Sequence, residues 1–373
     1  MGIGKLNQTN TIETILIGTG GGYGESIILN LGNDTWVVID SCKNPNTKKS
    51  LPLEYLEERG VNLEEDVKLI ICTHWHEDHI RGLSDLYEKC ESAILSFAHA
   101  SDRTKFLQLV GLDHNKTKNE ETACSTEELN ACLKILASRK GTMRKASEDR
   151  VLLSNNSNGI NFKVISLSPS DYIMSEFDEE ISTLITDYGV NNRKIINHTP
   201  NDKSVAILVK INDQRIILGS DLEVNADKRK GWKCIINNSQ TLDGKSNVFK
   251  IPHHGSDTGY NKEVWDVLMD ENTVIKLSPY SKNKKLPKSD MINTFLGHSD
   301  RLYITSIPTL SKAKPKKRHR SIAKAIDKFN PTLIEVKFNK GVVRCVCDLE
   351  IGEWNVETIE SATKISHDNV SQF

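Results

Sequence analysis

The sequence predicts an α/β sandwich. Short apolar runs of strand length recur along almost the whole chain, polar or amphipathic helix-forming stretches lie between many of them, and histidine or aspartate follows directly on several. Recurring strands with interleaved helices define a layered α/β architecture. Such sheets carry their chemistry at the C-terminal ends of the strands.

The elements follow in order. Residues 14–40 contain TILIG, a Gly-rich bend GTGGGYGES, and SIILNLGNDTWVVID. Gly32, Asn33 and Asp34 tolerate positive φ, which predicts a hairpin turn between IILNL and TWVVI. Gly20, Gly21, Gly22 and Gly24 do not make a nucleotide loop, because an Ile-rich strand follows them and not a helix whose N-terminus could hold a phosphate. An amphipathic helix is predicted over 51–59, ended by Gly60, and a buried strand over 67–72. Residues 101–150 are polar and read as a helical insertion, with a helix at 126–139 capped by Ser125 or Thr126. Further strands are predicted at 162–167, 204–211, 215–220, 247–251, 273–277, 301–306, 332–338 and 341–349, the Asn-Asp-Gln turn before Arg215 joining two of them as a hairpin. No internal repeat is visible. The expected organisation is a single domain over 1–373, with an insertion at about 101–150 and a basic C-terminal portion at about 281–320.

At 373 residues, 37% hydrophobic and 27% charged, the composition excludes gross disorder. A formal net charge of −1 excludes a molecule that binds nucleic acid through its global charge, though not through a local patch. The eight cysteines form no CxxC pair, the start MGIGKLNQTN lacks an apolar export segment, and no stretch has the length of a membrane span. Reduced thiols in a cytoplasmic protein without membrane association are therefore expected.

The chemistry concentrates in Thr73-His74-Trp75-His76-Glu77-Asp78-His79, directly after the apolar run 67–72. His74 and His76 can point the same way from a strand-end loop, while Asp78 and His79 on the following turn can face a second ion. Divalent ions such as zinc accept imidazole nitrogen and carboxylate oxygen. Asp221 follows IILGS, and His253-His254 follow VFKIP, so three strand ends carry ligand-type side chains. A two-metal centre requires such convergence, with a carboxylate able to bridge the ions.

These strings resemble a known family. HWHEDH resembles the HxHxDH signature of the metallo-β-lactamase superfamily, GSD its bridging-aspartate motif and IPHHGS its last histidine motif. The opening hairpin is similar to the family's first, which ends in an aspartate that orients the metal loop, here Asp40. The Gly-rich start, Asn201 and Ser204 before a strand, and His-His-Gly-Ser resemble the branch that includes the hydrolase domain of the competence protein ComEC. The resemblance spans 14–349 apart from the 101–150 block, and it implies an αββα sandwich with two mixed β-sheets flanked by helices. It also implies two divalent metal ions, Zn²⁺ or Mn²⁺. His74 and His76 would hold the first, Asp78, His79 and His253 the second, and Asp221 would lie between them. His198, in NHTPNDKS, is the candidate for a further ligand of the first ion, with Asn201 as the alternative at that position. His253 is assigned as the ligand and His254 as a donor to substrate, because adjacent residues at a strand end do not readily face one ion.

The implied reaction is hydrolysis by a metal-activated water that Asp78 orients. Lys282, Lys284, Lys285 and Lys288, and the run KAKPKKRHR with Lys316, Lys317, Arg318 and Arg320, have the character of a phosphate-backbone footprint. A phosphodiesterase or nuclease acting on a nucleic acid or nucleotide is the leading reading. One departure is Leu286-Pro287, where the resembling branch carries His-Pro. Hydrolysis of a small ester, lactone or thioester, and an idle metal-binding interaction module, are the alternatives. Replacing Lys316, Lys317, Arg318 and Arg320 together with Gln tests the footprint. The expected outcome is weaker DNA and RNA binding of any sequence, with the slope of log affinity against log salt reduced by about one for each true phosphate contact removed; parent-like binding at every salt concentration would make these residues a solvated face.

Overall fold

A computed structural model describes residues 10–21, 24–98, 125–191, 201–281, 284–309, 311–312, 324, 328, 334–335 and 338–373. The strands are β1 (Thr11–Gly18), β2 (Glu25–Asn30), β3 (Trp36–Ile39), β4 (Val67–Cys72), β5 (Ile94–Phe97), β6 (Met143–Lys145), β7 (Arg150–Ser157), β8 (Ile160–Ser166) and β9 (Ile207–Ile211). They continue with β10 (Gln214–Leu218), β11 (Val248–Lys250), β12 (Val274–Leu277), β13 (Leu302–Ile304), β14 (Ser311–Lys312), β15 (Ile334–Glu335), β16 (Gly341–Asp348), β17 (Trp354–Glu360) and β18 (Thr363–Ile365). Two eight-stranded sheets result, in the orders β17-β16-β1-β2-β3-β4-β5-β6 and β18-β13-β12-β11-β10-β9-β8-β7; β14 and β15 form a separate pair. Both sheets are mixed. β3 to β6 run parallel in the first and β10 to β13 in the second, with antiparallel pairs outside these blocks.

The expected hairpin joins β2 to β3. Thr35 N donates to the Gly32 carbonyl oxygen, and the central pair Asn33 and Asp34 take φ of 49° and 51°, as a primed turn demands, with Gly32 before them at 80°. The block expected as an insertion is in part built into the first sheet. The helix Ser125–Arg139 leads into β6, which pairs in parallel with β5, while residues 101–124 lie outside the described ones.

Period-two alternation decides which way each strand faces. On β9 and β10, Ile207, Val209, Ile216 and Leu218 join the core between the sheets, while Leu208 and Ile217 face a second core. That second core is covered by the helices Gly231–Asn238, Lys262–Leu268 and Ser289–Leu296, which contribute Trp232, Trp265 and Phe295. On β11 and β12 the same alternation turns Lys250 and Lys276 inward, and both are fully buried. Lys276 Nζ donates to the Thr14 carbonyl oxygen of β1 at 2.6 Å, and Lys250 pairs with Glu25 of β2. Two lysines therefore tie the second sheet to the first across an otherwise apolar interior.

The Gly-rich bend has a packing role. Gly24 adopts φ +127°, and a Cβ there would collide with the Asp78 carbonyl oxygen, so the absent side chain lets the bend lie under the histidine loop. Gly24→Ala is expected to cost about 1–3 kcal/mol from backbone strain alone. A lowered urea midpoint checks this; an unchanged midpoint would show that the bend can move away.

Candidate metal centre

The site forms where the parallel strands of both sheets end. β3 and β4 are parallel neighbours, so Asp40, just past β3, lies beside Thr73, just past β4. The buried Asp40 carboxylate accepts from Thr73 N at 2.8 Å and from Thr73 Oγ1 at 2.7 Å, and stands 2.7 Å from His79 Nδ1. Thr73 Oγ1 in turn lies 3.0 Å from His74 Nδ1. With Thr73 donating to Asp40, this oxygen accepts the His74 Nδ1 proton. The network thus assigns the Nδ1–H tautomer to His74 and supplies a carboxylate partner for Nδ1 of His79, aiming both Nε2 atoms into the site.

Asp221 reaches the same place from the second sheet. β10 ends at Leu218, Ser220 turns through left-handed φ (47°), and Asp221 N is held by Ser204 Oγ at 3.1 Å. Its Oδ2 stands 3.4 Å from His79 Nε2, 3.7 Å from His74 Nε2 and 3.8 Å from His254 Nε2. One carboxylate oxygen is thereby ringed by three imidazole nitrogens. His76 Nδ1 lies 3.0 Å from His74 Nε2, and Asp78 Oδ2 lies 3.5 Å from His254 Nε2.

The two adjacent histidines divide in the opposite sense to the expectation. Both have left-handed backbone (φ 47° and 52°), and this tight turn sends their rings apart. His253 Nδ1 is engaged at 2.7 Å by Glu223 Oε1, 3.0 Å by Thr258 Oγ1 and 3.1 Å by Ser256 Oγ. His254 is the one that enters the cluster, its Nδ1 3.1 Å from the Ser278 carbonyl oxygen and its Nε2 facing Asp78 and Asp221. His198, Lys316, Lys317, Arg318 and Arg320 lie outside the described residues. Asn201, the alternative to His198, lines the cleft, and its Oδ1 is buried without a hydrogen bond among the described residues.

The donor set fits divalent cations. His74, His79 and Asp221 form one group, and Asp78, His79 and His254 another, with the ligand atoms of each within 4.8 Å of one another. His79 Nε2, Asp221 Oδ1 and His254 Nε2 are buried and lack an ordinary hydrogen bond among the described residues, which is costly unless something else satisfies them. Burial pulls the His79 pKa down, yet the charges of Asp221 and Asp40 carry it well above the imidazole range. Burial would raise Asp221, but the charges of His79 and His254 hold it well below the usual carboxylate value. Burial also pushes His74 and His76 down, leaving lone pairs available.

Above this floor lies a cleft of about 360 Å³, with Arg81, Tyr280, Lys284 and Leu286 in its walls. The Tyr280 ring stands 5.3 Å from that of His254. Arg81 pairs with Glu77 one helical turn before it. Lys285, from the same basic run as Lys284, instead donates to the Gln372 carbonyl oxygen. Sequence reasoning passed over Arg81 and Tyr280, which belong to no recognisable spacing.

Residues 19–101, which carry Asp40 and His74 to His79, match the family model of the metallo-β-lactamase superfamily. Among solved structures the chain is similar to the metallo-β-lactamase fold protein YhfI from Bacillus subtilis, with 10% identity over 65% of this chain and 70% of that one and a TM-score of 0.32. It is also similar to Zn²⁺-bound PqqB from Methylobacterium extorquens (11% identity, 64% of this chain and 71% of that one, TM-score 0.32). A third is the hydrolase AbOPH of the β-lactamase superfamily (16% identity, 58% and 72%, TM-score 0.32). Comparison with curated proteins found no match.

The division of the histidine pair is directly testable. His254→Ala is expected to reduce bound Zn²⁺ or Co²⁺ per chain, whereas His253→Ala leaves the stoichiometry near that of the parent. Elemental analysis giving the reverse pattern would restore the ligand role to His253.

Proposed function

We propose that this protein is a metal-dependent hydrolase of the metallo-β-lactamase superfamily, a phosphodiesterase or nuclease with a dinuclear Zn²⁺ or Mn²⁺ site. The observation that carries this reading is Asp221 Oδ2 within 3.4–3.8 Å of three imidazole nitrogens, beneath a cleft with Arg81 and Lys284 in its walls. His74, His76 and Asp221 would hold one cation, with His198 or Asn201 beside them. Asp78, His79 and His254, with Asp221 shared, would hold the second. Bound there, divalent ions supply Lewis acidity that makes water a nucleophile at neutral pH and stabilises a developing oxyanion.

The chain's own groups do the rest. Asp78 faces the cleft, orients the attacking water and receives its proton as the new P–O bond forms. The bond to the departing oxygen breaks, and a proton returned to that oxygen completes a phosphomonoester and an alcohol. Lys284, with Arg81 and the basic residues Lys316, Lys317, Arg318 and Arg320, would receive the anionic substrate. The ComEC-like placement is part of the same proposal and draws on Asn201, Ser204 and the His-His-Gly-Ser turn. A cytoplasmic location and a single-domain organisation over 1–373 belong to it as well. The seven described cysteines, all buried and unpaired, and the lack among the described residues of any helix long and apolar enough to cross a membrane are consistent with that location.

Bis(p-nitrophenyl) phosphate, single- and double-stranded nucleic acid, cyclic nucleotides and a neutral p-nitrophenyl ester, each assayed with Mn²⁺ or Zn²⁺, decide the substrate. Phosphodiester turnover that is lost on chelation, restored by metal and abolished in His76→Ala/Asp221→Ala supports the proposal. Turnover of the ester alone would transfer the reading to small esters, lactones or thioesters, and metal binding without turnover to an idle module.

A further inference from the structure

We infer that the buried Lys250–Glu25 pair is a positioning device that registers the Asp221 and His254 loops of the second sheet onto the sheet carrying His74 to His79. The inference rests on the metal-site reading above and concerns residues which that reading does not use.

Lys250 is the last residue of β11, four positions before His254, and Glu25 the first of β2; both are almost wholly buried and in contact. Lys250 Nζ also donates to the Ser220 carbonyl oxygen at 3.2 Å. That oxygen accepts from His253 N at 2.9 Å as well, so one carbonyl joins the turn presenting Asp221 to the turn presenting His254. On the other side, Glu25 Oε2 stands 3.9 Å from His254 Nδ1 and has no hydrogen bond among the described residues. The ammonium thus touches the first turn directly and the second through Glu25 and the shared carbonyl.

Three observations favour positioning over mere cohesion. Ser220, His253 and His254 are all non-glycine residues at positive φ, a costly backbone that persists only where its surroundings over-determine it. Burying an ion pair is a poor source of stability, since apolar residues of similar size commonly do as well or better. The other inward lysine, Lys276, has the Thr14 carbonyl and hydroxyl oxygens and the Cys345 thiol for its partners among the described residues, and Thr14 lies within a regular strand. Of the two lysines between the sheets, Lys250, beneath the ligand turns, is the one paired with a carboxylate among the described residues.

Glu25→Gln, Lys250→Met and the double variant test this in the full chain. The single variants strand a buried partner and lower thermal stability. The double variant removes both charges and is expected to regain much of that stability while binding Co²⁺ about ten- to a hundredfold more weakly than the parent, with altered visible d–d bands. Recovered stability with parent-like Co²⁺ affinity and spectrum would overturn the inference, because the pair would then be structural only. Should the double variant not fold, Glu25→Gln, nearly the same shape, carries the same Co²⁺ titration, and parent-like binding there overturns it too. A parent protein that binds no Co²⁺ would instead defeat the metal-site reading itself.

Discussion

The site depends first on the Asp40 carboxylate. It satisfies the Thr73 amide and hydroxyl, and through them the His74 ring, while its second oxygen also faces His79 Nδ1. Two histidines of one loop are therefore aimed by a single group from the neighbouring strand. The arrangement needs β3 and β4 to be parallel, because only then do Asp40 and the start of the histidine loop emerge at the same edge. It also needs Asp40 to hold φ +59°, which turns the chain sharply off the strand end. Removing the carboxylate would leave buried donors unpaired, at roughly 1–3 kcal/mol for each.

A second constraint lies between the sheets. His74, His76, Asp78 and His79 come from the first sheet and Asp221 and His254 from the second, so the cluster exists only while the two remain in register. An apolar interface resists separation, but it specifies sliding weakly because hydrophobic attraction has no direction. Directed bonds at Thr14–Lys276 and Glu25–Lys250 fix what the apolar contacts leave free.

Much of this was legible in the sequence because short-range pattern and long-range consequence coincide. The β4 run followed by His74 to His79, and the Gly32-Asn33-Asp34 turn, are local signals whose structural outcome is local too. Asp221 was legible for the same reason, standing just past an apolar strand. The His253/His254 choice was not, since it turns on two left-handed backbone positions that nothing in Pro-His-His-Gly announces. β17 and β18 also escaped the reading: β17 is an edge strand exposed over most of its length, so its alternation lacks the apolar contrast that marks a half-buried strand. Lys250 and Lys276 interrupt the apolar runs VFKIP and VIKLSP, and nothing local announces that they are buried. Their burial becomes intelligible only when Glu25 and Thr14, more than 220 residues earlier, are placed opposite.

Charge connects these features to substrate. The described floor of the cleft carries Asp78 and Asp221 as carboxylates, and in the absence of cations it is compensated by His79 and His254, both held above the ordinary imidazole range against the effect of burial. Ligation by His79 and His254 would require their Nε2 atoms to be free of protons. Two divalent charges would then exceed the two carboxylates and leave the floor net positive. Such a floor, with Lys284 in the wall beside the Arg81–Glu77 pair, would favour a substrate whose reacting group is itself anionic. A neutral ester would gain polarisation from the same floor but less from the walls, and that asymmetry is what supports the proposed preference for phosphodiesters.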